Sequence, residues 1–146
     1  AAAGAALTHR DVARSVRFVT GHSKHGGLPA DIDLRAIADP AATTIVYMAA
    51  RTAPEIASRL MDHGMDPRSA VVIGSSLGRS KERLIRSSLQ RLAHDIATID
   101  PQDPVAIGFG NVFCRAVESD TGRRETDFPS NMHPNRITAY GGRRAV

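Results

Sequence analysis

Several short stretches carry side chains able to do chemistry. Thr8-His9-Arg10 precedes the first apolar segment. The Arg10 guanidinium is a planar fork of donors that matches a carboxylate in two parallel hydrogen bonds, and Thr8 and His9 can add donors. A surface arginine beside a helix-capping threonine looks the same in sequence, so both readings stay open. His22, Lys24 and His25 occupy a glycine-containing loop. Two histidines can supply part of a zinc site, but no thiolate or carboxylate stands nearby at ligand spacing and four ligands are usual, so exposed loop histidines and no metal are expected. Gly74-Ser75-Ser76-Leu77-Gly78 follows an apolar run without the lysine and Ser/Thr pair of a phosphate loop. Its glycines fit close approach of the backbone to a ligand and fit a plain tight turn equally well. Met48, ending an apolar run beside Ala49 and Ala50, fits core packing or a cofactor contact. Cys114 has no histidine near it in sequence and reads as an inert thiol. No trio of nucleophile, base and orienting group is identifiable.

The elements that must position these residues follow from periodicity. Val16 to Thr20 is rich in β-branched and aromatic residues and reads as a strand stopping at Gly21. Asp31 or Asp33 can cap a short helix to about Ala38. Thr43 to Ala49 has the pattern of a buried strand. Thr52 and Glu55 have capping-box spacing, and the helix they open is expected to run to Gly64 with Ala53, Ile56, Ala57, Leu60 and Met61 on one apolar face. Ala70 to Ile73 predicts a strand, Gly74 to Gly78 a loop, and Arg83 to Ser87 a further strand. A helix from about Ser88 to Thr98 would turn Leu89, Leu92, Ala93 and Ile96 inward, and a last strand is expected over Val105 to Phe113. The fold class is therefore α/β, a mixed sheet with covering helices. The link from Ile73 to Arg83 is too short for a helical crossover, which requires antiparallel pairing there.

Composition narrows the partners. With 146 residues the chain suits one domain-sized core. One cysteine points to a reducing cytoplasm. No apolar run reaches membrane-spanning length, and no membrane partner is expected. The net charge of +4 favours an anionic partner. Basic residues are dispersed, tryptophan is absent, and nucleic-acid binding is not expected. Residues 114–146 are polar and punctuated by glycine and proline, and read as a flexible tail after a domain over 1–113, while Ala1 to Ala6 reads as the end of a helix begun upstream.

Leu7-Thr8-His9-Arg10-Asp11, Ser15-Val16-Arg17 and Val19-Thr20-Gly21-His22 together resemble the "PLTHRD…SV…VTGH" segment of uroporphyrinogen-III C-methyltransferases, with Ala6 in place of the usual proline. Val46-Tyr47-Met48 is similar to a strand of that family ending in Tyr-Met, and Leu60 to Met65 to its "LIEHGM" helix end. Residues 83–89, the helix containing Leu92, and Pro104 to Phe113 follow the family's order, so the resemblance spans roughly residues 1–113.

The resemblance implies methyl transfer from S-adenosyl-L-methionine to pyrrole carbons of uroporphyrinogen III, on the route to sirohaem and cobalamin, by a homodimeric enzyme. It implies that Met48 and Leu77 bind the cofactor, the latter mainly through backbone, and that Arg10 and Thr8 bind the substrate. It also places the family's glycine-rich loop and proton-handling residues upstream of Ala1. The chain is thus expected to be the C-terminal half of the enzyme, with no catalytic residue assignable in it. The alternative is a non-catalytic domain that binds cofactor or tetrapyrrole, or assists assembly.

Overall fold

A computed structural model describes residues 6–115 of the chain. The strands are β1 (Ser15–Thr20), β2 (Ala42–Tyr47), β3 (Ala70–Ser75), β4 (Arg83–Ser88) and β5 (Val105–Phe109). They form one sheet in the order β1-β2-β5-β3-β4. β1 and β2 are parallel, β5 runs antiparallel between β2 and β3, and β3 and β4 make the antiparallel hairpin that the short link requires. The expected mixed α/β sheet is therefore present. The proposed polar tail after Cys114 and the small-residue helix end before Ala6 lie outside the described residues, apart from α4 (Val112–Arg115), which crosses the expected boundary at 113/114.

Strand alternation divides the core in two. Val46, Val71, Ile73, Val105, Ile107 and Phe109 face the helices α1 (Leu34–Ile37), α2 (Ala53–Asp62) and α3 (Leu92–Ile96). On the opposite face Ile45, Ala70 and Val72 pack with Ala13 and with Val112 and Phe113 of α4. α2 buries Ala53, Ile56, Ala57 and Leu60 as its spacing requires. It ends in a Schellman turn: Gly64, at φ +88°, donates to Met61 O, and Met65 donates to Leu60 O. Asp33 caps α1 by accepting from Ala36 N at 3.0 Å.

Four local expectations are corrected. β3 continues through Gly74 and Ser75, because both stay paired with β5 and β4, so the loop starts only at Ser76. The last strand stops at Phe109. Gly110 turns away at φ +148°, and Phe113 folds back over Gly108, where an added Cβ would lie 2.7 Å from its ring. The helix expected over residues 88–98 is a 3₁₀ turn, Leu89–Arg91, followed by α3, since Leu89 N and Gln90 N are held by the carbonyls of Ser69 and Pro67. Within it Ala93 is exposed and Asp95 is buried instead, accepting from Ser87 Oγ at 2.6 Å. Finally, Thr52 makes no side-chain bond to the first turn of α2, and Glu55 pairs with Arg59 at 3.1 Å.

β1 is tied to α1 by Arg17, which donates to Ala36 O and Asp39 Oδ2, each at 2.8 Å. Partial burial pushes the Asp39 carboxyl up, but the bond from Arg17, the Ala41 N–H and the Arg17 charge together hold it below the ordinary carboxylate value. A depressed folded-state value contributes stability that is present above the unfolded value and lost as pH falls through the folded one. Arg17→Met is thus expected to lower the thermal midpoint at pH 6, and the gap to wild type should narrow as pH falls through the ordinary carboxylate range and below it. Calorimetry across that range checks it.

Candidate cofactor edge of the sheet

β1 and β2 are parallel, and β2 and β3 are both antiparallel to β5, so β1, β2 and β3 all end at the same edge of the sheet. Three loops leave that edge, beginning at Gly21, Met48 and Ser76, and Pro104 enters β5 between the last two. Tyr47 stands opposite Ala106 and Ser75 opposite Val105. Met48 and Ser76 therefore flank the start of β5, two strand spacings or about 10 Å apart. Ligands of open α/β sheets bind outside the carboxyl ends of the strands.

The backbone at this edge is strained. Met48 at φ +56° and Ser76 at φ +50° are the non-glycine residues with positive φ among those described, and each directly follows a strand end. Such a conformation costs a non-glycine residue roughly 1–2 kcal/mol, and strain of this kind clusters at ligand-binding sites. Surrounding bonds enforce it: Ser76 N donates to Pro104 O at 2.9 Å, and Arg79 N donates to Ser76 O at 3.0 Å. Gly78 N donates to Glu82 Oε2 at 2.6 Å and closes the same hairpin.

The expectation of a buried strand through Ala49 fails for its last large residues. Met48 is 62% exposed and Tyr47 46%. Tyr47 stacks on Phe18 of β1, with ring centroids 6.1 Å apart and planes inclined by 19°. Leu77 is exposed too, its side chain lying over Gly74. Period-two patterning shows that Phe18 and Tyr47 share a face of the sheet, but it does not show that α1, α2 and α3 all lie on the other one. Ser75, fully buried at the end of β3, has an Oγ without a hydrogen-bond partner.

Charges of both signs stand at the edge, the acidic ones including Asp31, Glu82 and Asp103. Lys24, Arg51, Arg79 and Lys81 lie in the loops leaving these strands, are exposed or nearly so, and form no ion pair among the described residues. These four cations are the groups at the edge able to meet an anion. His22, partly buried, follows Gly21 on the same edge, while His25 is exposed. Among the described residues no group of three or more His, Cys, Asp or Glu is placed to hold a metal.

Thr8 and Arg10 are elsewhere. Both are exposed just ahead of β1, Thr8 directly before and Arg10 within the turn closed by His9 N donating to Ala13 O at 2.8 Å. That is the opposite end of the six-residue β1, a separation of roughly 20 Å at about 3.3 Å per residue. The structure thus brings Met48 and Leu77 to one edge and does not bring Thr8 and Arg10 beside them. Cys114 also lies away from the edge, on α4, where burial pushes its thiol up against a hydrogen bond to the Ala70 backbone.

The family of Tetrapyrrole (Corrin/Porphyrin) Methylases matches residues 1–93. A protein of Arabidopsis thaliana named S-adenosyl-L-methionine-dependent uroporphyrinogen III methyltransferase, chloroplastic, is 38% identical over 109 residues, 75% of this chain and 30% of its own. The siroheme synthase of Stutzerimonas stutzeri is 38% identical over 110 residues, 75% of this chain and 23% of its own. The uroporphyrin III C-methyl transferase of Thermus thermophilus superposes with a TM-score of 0.66 at 30% identity, over 83% of this chain and 50% of that one. The Thermus thermophilus enzyme complexed with S-adenosyl homocysteine gives 0.62 at 31% identity, over 76% and 46%. The chain therefore spans about half the length of these solved enzymes and less than a third of these curated relatives. With a mixed sheet of matching architecture and a family match over most of its length, this chain belongs to the tetrapyrrole methylases.

Proposed function

We propose that the chain is the C-terminal half of a uroporphyrinogen-III C-methyltransferase and that residues 1–113 form its methylase unit. The observation that carries this reading is the pair of strained residues, Met48 and Ser76, directly after two strand ends on one edge. Bound S-adenosyl-L-methionine would supply the methyl group to a ring carbon of uroporphyrinogen III. The residues present fit the cofactor: the exposed Met48 thioether and Leu77 side chain offer apolar cover to an adenine or methylene surface, and the turned-out backbone around Ser76 offers polar groups. The nucleophile belongs to the substrate, so the chain's own part is alignment.

Lys24, Arg51, Arg79 and Lys81 draw the polycarboxylated tetrapyrrole toward the edge. Arg10 and Thr8 hold a carboxylate of the substrate from their separate position ahead of β1, with the guanidinium fork as the recognising group. The Phe18–Tyr47 stack and Leu84, exposed on the sheet face opposite α1, α2 and α3, support burial of that surface in the complete enzyme, against its other half or the second subunit of a homodimer. A single cysteine fits a reducing compartment, the cytoplasm. No helix among the described residues is long and apolar enough to cross a membrane.

The test is turnover with and without the missing half. The chain alone is expected to form no precorrin-2 from uroporphyrinogen III and S-adenosyl-L-methionine, and fusion behind the N-terminal half of a related methylase is expected to restore formation. Precorrin-2 made by the chain alone would overturn the assignment as half an enzyme. An inert fusion that is folded and binds cofactor would overturn the assigned reaction.

A further inference from the structure

Thr52 stands where a capping residue belongs, yet its hydroxyl turns away from α2. It is buried, and Oγ1 donates to Gly21 O at 2.6 Å, a contact between residues 31 apart in sequence. Gly21 is gripped from the other side as well, its N–H donating to Tyr47 O at 2.7 Å. No side chain fits at this position, because a Cβ on Gly21 would lie 2.8 Å from Ala49 Cβ and 2.9 Å from Val46 Cγ1. Thr52 N and Ala53 N both donate to Ala49 O, at 3.1 and 2.7 Å. The loop bearing Met48 is thereby pinned at both ends, and each pin also holds the start of the loop bearing His22.

We propose that Thr52 is a positioning residue for the cofactor edge, fixing the loops after β1 and β2 against each other so that Met48 keeps its left-handed conformation before ligand arrives. The inference rests on the reading of that edge as the cofactor site. It gives the Thr52 hydroxyl a use that capping does not, since α2 begins without it. Preorganisation of this kind lowers the ordering cost of binding.

The experiment compares S-adenosylhomocysteine affinity, by titration calorimetry, with thermal midpoint for the full 146-residue chain and three variants. Thr52→Val removes the hydroxyl at nearly constant shape and leaves Gly21 O without its donor. Thr52→Ser keeps the hydroxyl. Ser87→Ala breaks another buried hydroxyl bond of equal length at the far end of the strands, to Asp95. Thr52→Val is expected to weaken binding about tenfold or more, and Thr52→Ser to restore it to within about threefold of wild type. Ser87→Ala should lower the midpoint while binding like wild type. If Thr52→Val does not fold, Thr52→Cys, with its weak donor, takes its place. Wild-type affinity in the Thr52→Val or Thr52→Cys chain, or equal weakening by Ser87→Ala, overturns the inference alone. Failure of the wild-type chain to bind overturns the reading of the edge and the inference with it.

Discussion

Gly21→Ala is expected to lower the thermal midpoint of the chain and to weaken S-adenosylhomocysteine binding by at least about tenfold. The added methyl has nowhere to go. At 2.8 Å from Ala49 Cβ, 2.9 Å from Val46 Cγ1 and 3.2 Å from Ala49 Cα, relief requires the β2 loop to move away from the β1 end, and Val46 and Ala49 are both fully buried. Overpacking of this kind costs about 1–3 kcal/mol. For a domain near 100 residues that corresponds to a fall of roughly 5–15 °C. The functional loss follows from the same displacement: Gly21 N–H and C=O are the anchors shared by Tyr47 and Thr52, and moving them releases the backbone around Met48. Thermal denaturation and calorimetric titration of the same sample check both parts.

Met48→Gly should separate stability from binding. Met48 holds φ +56° and leaves most of its side chain in solvent, so deleting the side chain removes little packing. Relief of left-handed strain, about 1–2 kcal/mol, opposes the entropy that glycine adds to the unfolded chain, about 0.4–1 kcal/mol. The variant is expected to be as stable as wild type or slightly more so, while its affinity for S-adenosylhomocysteine falls about tenfold or more through loss of apolar cover and of a preset backbone. A large drop in thermal midpoint with affinity unchanged would make Met48 a packing residue, the other reading its sequence position allows.

Periodicity gave the element order readily because β1, β2 and β3 are rich in β-branched residues, Pro104 and Gly110 bracket β5, and α2 has an unbroken apolar stripe. The errors fall where a distant partner decides. Thr52 and Glu55 have the spacing of a capping box, but a carbonyl 31 residues away takes the threonine hydroxyl. Ala93 has the spacing of an inward residue, but Asp95 takes the buried position because Ser87 of the neighbouring strand reaches it. Gly108 and Gly110 read as interruptions of a strand, whereas the second ends it and the first makes room for Phe113.

The candidate site was legible unevenly. Met48 and Leu77 entered through resemblance, since no spacing rule distinguishes a methionine at a strand end from one in a core. Their meeting on one edge depends on β5 being inserted between β2 and β3, which is long-range topology and leaves no local signature. Arg10 was legible as a carboxylate fork, but its distance from Met48 was not, because nothing in the sequence states at which end of β1 the ligand sits. The strain at Ser76 had only a weak signal, its place in a glycine- and serine-rich run.

Amide chemical shifts of the isotopically labelled chain, titrated with S-adenosylhomocysteine, decide whether the edge where β1, β2 and β3 end is the cofactor site. Saturable shifts are expected in Gly21 to Lys24, Met48 to Thr52 and Ser75 to Gly78, with Thr8 to Arg10 and the Ser87–Asp95 region unmoved. Absence of shifts at millimolar ligand, or shifts confined to the turn before β1, would contradict that assignment.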